Sequence, residues 1–173
     1  MLSQRLFSLL PLLAIPALVQ AECKLNNAIE EDEKTVESEG ALCKPQGEDS
    51  WTFAMQLSEV GVPTFDGDNA YAGVTGNKAF IIYDNACNRV GVYGPDNEDN
   101  DCAIPYVIQE SFLPYVLTVT QVNFDLGGGD FTFAYANGDY MIGENGATCE
   151  DISDGLRGVE ACKTGFPING EPV

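Results

Sequence analysis

The sequence contains no histidine, and this absence excludes several classes of chemistry. Without histidine the chain cannot form a Ser-His-Asp or Cys-His catalytic arrangement, or a metal centre with histidine ligands. Histidine is also the side chain that usually changes charge between about pH 5 and 8, so this kind of pH switch is missing. A general acid or base in this protein would have to be a carboxyl group, a tyrosine or a lysine.

Positive charge is scarce as well. The 173 residues include eight Lys or Arg against 27 Asp or Glu, which gives a formal net charge of −19 at pH 7. Nucleic acids and anionic membrane surfaces are not expected as partners, since both are bound through clustered Lys and Arg. The charge favours a soluble monomer, and no cofactor is expected.

The chain has a single long apolar run, at its N-terminus. LFSLLPLLAIPALV follows Arg5, two prolines interrupt it, and small residues precede an expected cleavage point after Ala21. The run is too short and too proline-broken for a membrane span. It therefore predicts a signal peptide over residues 1–21 and a secreted, extracellular protein that begins near Glu22.

All the cysteines lie beyond this signal peptide. They are Cys23, Cys43, Cys87, Cys102, Cys149 and Cys162. An even number of cysteines in a secreted chain indicates disulfides, although sequence alone does not fix their connectivity. Pairing between sequence neighbours is the expectation, which joins Cys23 to Cys43, Cys87 to Cys102 and Cys149 to Cys162. A zinc site is not indicated, because no CxxC spacing occurs.

The apolar pattern predicts strands. In SWTFAMQLSEV, Trp51, Phe53, Met55 and Leu57 alternate with polar or small residues, as in a half-buried strand. Other segments rich in β-branched and aromatic residues predict strands at 78–84, 88–94, 115–126, 130–136 and 139–143. The stripe of Phe131, Phe133 and Tyr135 indicates one buried face.

Turn signals separate these strands. Gly127–Gly129 ends one of them, DNAC (84–87) is a candidate turn, and Asn137-Gly138 is the strongest hairpin dipeptide in the chain. Helical patterns are limited to residues 27–38 and to the segment between Cys149 and Cys162. The prediction is an all-β fold: a single antiparallel β-sandwich or barrel with disulfides and at most one or two short helices.

One domain is expected after the signal peptide. Residues 22–50 are polar and acidic, and they predict an N-terminal arm. The disulfide-stapled β-domain is expected to cover residues 51–173, a size at which a chain can bury a real core.

The segment PDNEDNDC carries four carboxylates, Asp96, Glu98, Asp99 and Asp101. Carboxylate and amide oxygens are calcium ligands, so these four residues are the candidate metal site. Their spacing does not match an EF-hand loop, because Asp101 stands where glycine is required. The alternative interpretation is a solvated acidic turn that leads into Cys102.

Two further features lie around the glycine run. Asp125 and Asp130 flank the glycine run and could form the carboxylate pair of a glycoside hydrolase, although aspartates are also ordinary turn residues. The run itself lacks the lysine and Ser/Thr of a phosphate loop, which favours a turn.

Aromatic residues offer a sugar-binding interpretation. Trp51, Tyr71, Tyr135 and Tyr140 could stack on sugar faces, but most of them have the spacing of a buried strand face. Tyr71 lies in a turn-rich segment and is the one expected to be exposed.

AFIIYDNACNRVGVYG, DCAIPYVIQ, VNFDLGGGDFTFAYANGDYMIG and CKTGFPINGE resemble segments of small secreted cysteine-containing proteins of filamentous ascomycete fungi. The resemblance covers about residues 78–171 and concerns the order of strands and cysteines. It implies a secreted, effector-like fungal product and brings no active-site residues.

The leading functional hypothesis is a non-enzymatic secreted effector or surface-interaction protein that binds a host extracellular protein or a cell-wall polymer. The alternatives are a carbohydrate-binding or calcium-dependent binding module and a carboxylate-based glycoside hydrolase.

Overall fold

The computed structural model describes residues 23–28, 42–43, 45–63, 71–95, 103–144, 146–153 and 157–170. For residues 60–63 and 71–75 it describes the backbone alone. The predicted signal peptide, most of the helix predicted at 27–38 and the acidic loop at 96–102 lie outside these ranges. Within them, no helix is long and apolar enough to cross a membrane.

The described residues form ten strands. In chain order these are β1 (Cys23–Lys24), β2 (Ser50–Pro63), β3 (Tyr71–Tyr83), β4 (Arg89–Tyr93), β5 (Tyr106–Ile108), β6 (Leu117–Asn123), β7 (Asp130–Tyr135), β8 (Gly138–Met141), β9 (Thr148–Asp151) and β10 (Arg157–Pro167). They build two five-stranded sheets, ordered β1-β5-β6-β7-β8 and β4-β3-β2-β10-β9. The predicted all-β fold is confirmed as a sandwich. All its pairings are antiparallel except β1 with β5, which is parallel.

The space between the sheets holds the main core. Its largest members alternate along their strands, as the sequence predicts, and include Phe53, Met55, Phe80, Leu117, Val119, Phe131, Phe133 and Phe166. The Phe53 ring of the second sheet meets the Phe131 and Phe133 rings of the first at 5.4 and 4.8 Å between centroids. Burying each such ring contributes roughly 1.5–3 kcal/mol, so this contact holds the two layers together.

A second, smaller core covers the outer face of the β4-β3-β2-β10-β9 sheet. It contains Leu42, Cys43, Ala54, Ile81, Tyr83 and Ala161. Part of the predicted acidic arm therefore packs on the domain, since Leu42 and Cys43 are buried there. Leu25, from the start of the same arm, is buried in the main core.

The disulfide connectivity corrects the sequence prediction. Cys43 is bonded to Cys87, so the expected pairs of Cys23 with Cys43 and of Cys87 with Cys102 are wrong. The reason is spatial: Cys43 and Cys87 meet on the outer face of one sheet, whereas Cys23 starts β1 in the other sheet. Cys23 is disulfide-bonded too.

The pair of Cys149 with Cys162 is confirmed, but the helix predicted between them is wrong. The two cysteines face each other across the antiparallel strands β9 and β10. Strand β10 also pairs with β2 along its whole length, from Arg157 to Pro167. This ladder, not local helical preference, decides the conformation of the segment.

Three predictions about turns and strands can be compared with the structure. The turn at 84–87 is confirmed, with the Cys87 amide bonded to the Asp84 carbonyl at 3.0 Å. The β7–β8 hairpin is confirmed, but Tyr135 pairs with Gly138, so Ala136 and Asn137 form the turn, one position earlier than expected. Tyr71 begins strand β3, so its assignment to a turn is wrong.

Candidate functional site: the Glu160 cluster

Strand β10 brings one carboxylate into the interior. Glu160 and Cys162 pair with Leu57 and Met55 of β2, so all four side chains share the inner face of the sheet. Glu160 is 7% exposed, and it is the one acidic or basic residue of the described chain that is fully buried. Burying an ionised carboxylate is costly unless hydrogen bonds replace its water.

Those hydrogen bonds come from the opposite sheet. The turn between β6 and β7 contains Gly127–Gly129, and its backbone amides point at Glu160. The Gly127 amide donates to Oε2 at 2.6 Å, and the Gly129 amide lies 3.2 Å from both carboxylate oxygens. The glycine run is thus a turn, as predicted, and the anion it binds belongs to its own chain.

Local hydrogen bonds fix the shape of this turn. The Asn123 amide group donates to the Gly128 carbonyl at 2.9 Å, and Gly128 donates to the Asp125 carbonyl at 3.0 Å. Gly127 has a φ of +81°, a left-handed conformation that glycine adopts readily. The glycine turn therefore directs the amides of Gly127 and Gly129 toward the Glu160 carboxylate.

The Cys149–Cys162 disulfide lies against the same turn. The Cys149 sulfur is 3.1 Å from the Gly129 carbonyl oxygen, and the Cys162 sulfur is 4.0 Å from Oε1 of Glu160. A Cβ atom at Gly129 would stand 3.1 Å from both the Cys162 sulfur and the Glu160 carboxylate. We call Gly127, Gly129, Cys149, Glu160 and Cys162 the Glu160 cluster.

While the Cys149–Cys162 disulfide is closed, the cluster stabilises the contact between the two sheets. Two charge-assisted hydrogen bonds join the sheets, and such bonds are each worth roughly 1.5–3 kcal/mol. Ligand atoms of Cys149, Glu160 and Cys162 lie within 4.8 Å of one another, the arrangement of a metal site. While the sulfurs are bonded to each other, neither is available as a thiolate ligand or nucleophile.

The aspartates singled out in the sequence as a catalytic pair lie beside the Glu160 cluster but do not belong to it. Asp125 is exposed and Asp130 is half-buried at the start of β7, and they flank the glycine turn as expected. The buried carboxylate beside this turn is Glu160, which the hypothesis of an Asp125–Asp130 pair missed. Its signal in the sequence is a charged residue at an inward position of the alternation that also contains Cys162 and Phe166.

The proposed calcium ligands Asp96, Glu98, Asp99 and Asp101 lie outside the described residues. The calcium hypothesis therefore stays a prediction. Cys102, to which the acidic loop leads, also lies outside the described residues.

The candidate sugar-stacking residues pack mainly against other rings. Trp51 is half-buried and stacks on Phe112 at 6.1 Å, and the half-buried Tyr140 stacks on Phe133 at 5.0 Å. Tyr135 is 1% exposed, and its hydroxyl donates to the Ile168 carbonyl at 2.8 Å. These three side chains therefore do not make a shared exposed platform.

Comparison of the chain with protein-family models, with curated proteins and with solved structures finds no match. Its function has to be inferred from its own residues.

Proposed function

We propose that the protein is a secreted, non-enzymatic binding protein, similar to fungal effectors, that attaches to a host extracellular protein or a cell-wall polymer. One surface carries this proposal. We call it the outer threonine face: the outward side of β6, β7 and β8, with Thr118, Thr120, Thr132, Ala134, Asp139 and Met141, together with Val116 just before β6.

The strand alternation explains this face. Leu117, Val119, Phe131 and Phe133 point into the core, which leaves the intervening side chains on the outside. Val116 is 42% exposed and Met141 is 37% exposed, so apolar groups frame the hydroxyl groups.

The face carries little charge. In a chain with a net charge of −19, its acidic side chains are Asp139, which pairs with Ala134, and Asp130, two positions before Thr132 at the start of β7. A neutral polymer or a protein can contact the threonines and apolar groups of this surface, and exposed patches with apolar groups are typical of binding sites.

The Glu160 cluster favours binding over hydrolysis. A glycosidase needs two carboxyl groups that reach the substrate, one of them free to give up a proton. Glu160, the buried carboxylate in the described part of the chain, already accepts hydrogen bonds from two amides, which supports a structural role for it.

The test places charge on the face. The mature protein and a Thr118→Lys/Thr132→Lys variant are incubated with insoluble chitin, β-glucan and cellulose, and with immobilised plant extracellular proteins. We expect the variant to be retained at least tenfold less on the matrix that binds the wild type. The matched control is Thr148→Lys, at an exposed position of β9 in the other sheet.

Two results would contradict the proposal. One is equal retention of the face variant and the wild type. The other is release of soluble sugars from any of the polymers by the purified protein, because that would identify an enzyme.

A further inference from the structure

We infer that opening the Cys149–Cys162 disulfide creates a binding site for a thiol-preferring divalent cation such as Zn²⁺, with the Glu160 carboxylate as third ligand. The ligand atoms of these three residues lie within 4.8 Å of one another. Cys162 is fully buried, Glu160 is 7% exposed and Cys149 is half-buried on the edge strand β9. The site is therefore enclosed on the β10 side and open at the sheet edge.

The geometry is close to what zinc requires. Zinc bound to sulfur at about 2.3 Å and oxygen at about 2.1 Å in a tetrahedron separates its ligand atoms by roughly 3.6–3.8 Å. The cluster needs the two sulfurs to part and the third ligand to shift by about an ångström. The Gly129 carbonyl oxygen lies 3.1 Å from the Cys149 sulfur and offers a fourth ligand atom.

Electrostatics favours a cation once the disulfide is open. Two thiolates and one carboxylate would place three negative charges within 4.8 Å in a chain of net charge −19. Such a cluster either keeps its thiol protons or binds a cation, and zinc displaces thiol protons even near neutral pH.

The chemistry balances with a dithiol as reductant. The dithiol gives two electrons and two protons to the disulfide, so Cys149 and Cys162 become thiols and the reductant becomes a disulfide. Zinc then binds both sulfurs, and the two thiol protons are released to solvent. A small-molecule disulfide reverses the step: it takes up the two electrons of the thiolates and two protons from solvent and becomes two thiols, and the re-formed Cys149–Cys162 bond releases the cation. The disulfide therefore masks the site.

Cobalt(II) is the probe, because thiolate ligands give it a strong near-ultraviolet charge-transfer band. The mature protein is treated with a dithiol, and differential alkylation with mass spectrometry identifies the disulfide that has opened. Far-ultraviolet circular dichroism checks that the fold persists. We expect one cobalt ion per chain after reduction, none before it, and displacement of cobalt by stoichiometric zinc.

Three variants make the test specific to this cluster. We expect Cys149→Ala/Cys162→Ala to abolish the band and Glu160→Gln to weaken cobalt binding at least tenfold. Glu150→Gln should bind like the wild type, because this residue neighbours Cys149 but its carboxylate pairs with Lys163 on the surface at 3.4 Å.

The inference is overturned if the reduced, folded protein binds no cobalt, or if Glu160→Gln binds as tightly as the wild type. It is also overturned if the Cys149–Cys162 bond opens only when the protein unfolds. Should Glu160→Gln fail to fold, X-ray absorption of the wild-type cobalt complex decides. Two sulfur ligands with oxygen support the site, and a set without the two sulfurs refutes it.

Discussion

Glu160 illustrates how a single side chain can replace apolar packing between two sheets. Its neighbours on the inner face are apolar or small, and an apolar residue there would need no hydrogen-bond partners. The carboxylate is tolerated because the amides of Gly127 and Gly129 take the place of water. The Glu160 carboxylate therefore holds the β6–β7 turn against β10.

We predict that Glu160→Gln lowers the free energy of unfolding by about 2–3 kcal/mol at pH 7, because charge-assisted bonds become neutral ones and the new amide NH₂ faces amide donors. Urea unfolding measures this change. Glu150→Gln is the control, since its carboxylate is 50% exposed and surface pairs contribute about 0–1 kcal/mol. Equal losses for both variants would contradict the structural role of Glu160.

Tyr93 is the other buried polar group that stands out at this scale. Its side chain is fully buried, and the Glu110 carboxylate approaches its hydroxyl without meeting hydrogen-bonding geometry. Burial raises its pKa well above the usual value for tyrosine, and the negative charge of Glu110 raises it further. The phenol therefore stays neutral in the folded protein at any pH at which unfolded tyrosine is also neutral.

This raised pKa predicts alkaline sensitivity. Below about pH 10 both states carry the neutral phenol and its contribution to stability is constant. Above about pH 10 only the unfolded tyrosine ionises, so the free energy of unfolding falls as pH rises. We expect Tyr93→Phe to be as stable as wild type, or about 1 kcal/mol more stable, at pH 7, and to lose stability less steeply above pH 10. Urea unfolding at several pH values measures both; an unchanged slope would contradict the assignment.

The β6–β7 turn provides a matched pair of glycines at the element scale. Gly127 has a φ of +81°, and a Cβ added there would meet open space; Gly128 lacks a positive φ, and a Cβ added there would have its nearest neighbour 3.8 Å away. We predict that Gly127→Ala costs about 1–2 kcal/mol through backbone strain alone, and that Gly128→Ala is nearly neutral. Thermal or urea unfolding compares the two. The reverse order would show that the backbone of this turn differs from the one described.

In two strands, a glycine backbone is covered by a tyrosine ring. The Tyr93 ring lies over Gly91, and the Tyr140 ring lies over Gly138; in each case a Cβ on the glycine would stand within 3 Å of the ring. Each tyrosine thus covers the bare backbone two residues before it. This contact explains why glycine occurs within β4 and at the start of β8, where it normally weakens a strand.

The sequence predicts local secondary structure better than it predicts which strands and side chains pair with each other. Alternation along residues 51–57 and 131–135 identifies strands because it reports which face is buried, and the structure confirms both. The prediction of a helix between Cys149 and Cys162 is wrong because the glycines and acidic residues of this segment do not indicate its long-range ladder with β2. The role of Glu160 was missed for the same reason: its partners lie more than 30 positions away in the chain.

At the scale of the whole molecule, the two described disulfides constrain different lengths of chain. Cys43–Cys87 closes a separation of 44 residues, and Cys149–Cys162 closes one of 13. By the chain-entropy relation, removing them should cost about 4 and about 3 kcal/mol. We therefore predict that Cys43→Ala/Cys87→Ala is the less stable of the two double variants.

Urea unfolding of both variants, with free thiols assayed to confirm the remaining bonds, measures the difference. Removing Cys43–Cys87 also frees the segment at Leu42, which should expose the small outer core to dye binding. A variant lacking Cys149–Cys162 that is clearly the less stable would indicate that this bond does more than restrict the unfolded chain.

The charge of the whole molecule predicts its response to salt. With a net charge of −19, repulsion between carboxylates opposes the compact state, while surface pairs such as Lys163–Glu150 contribute little. Raising NaCl from about 0.01 to 0.15 M shortens the screening length from about 30 to 8 Å. We expect the melting temperature at pH 7 to rise by about 2–4 °C, corresponding to roughly 1 kcal/mol.

The control is the same titration near the isoelectric point of about 4.1, where the effect should largely vanish. A melting temperature that falls with salt at pH 7 would mean that attractive pairs outweigh the repulsion.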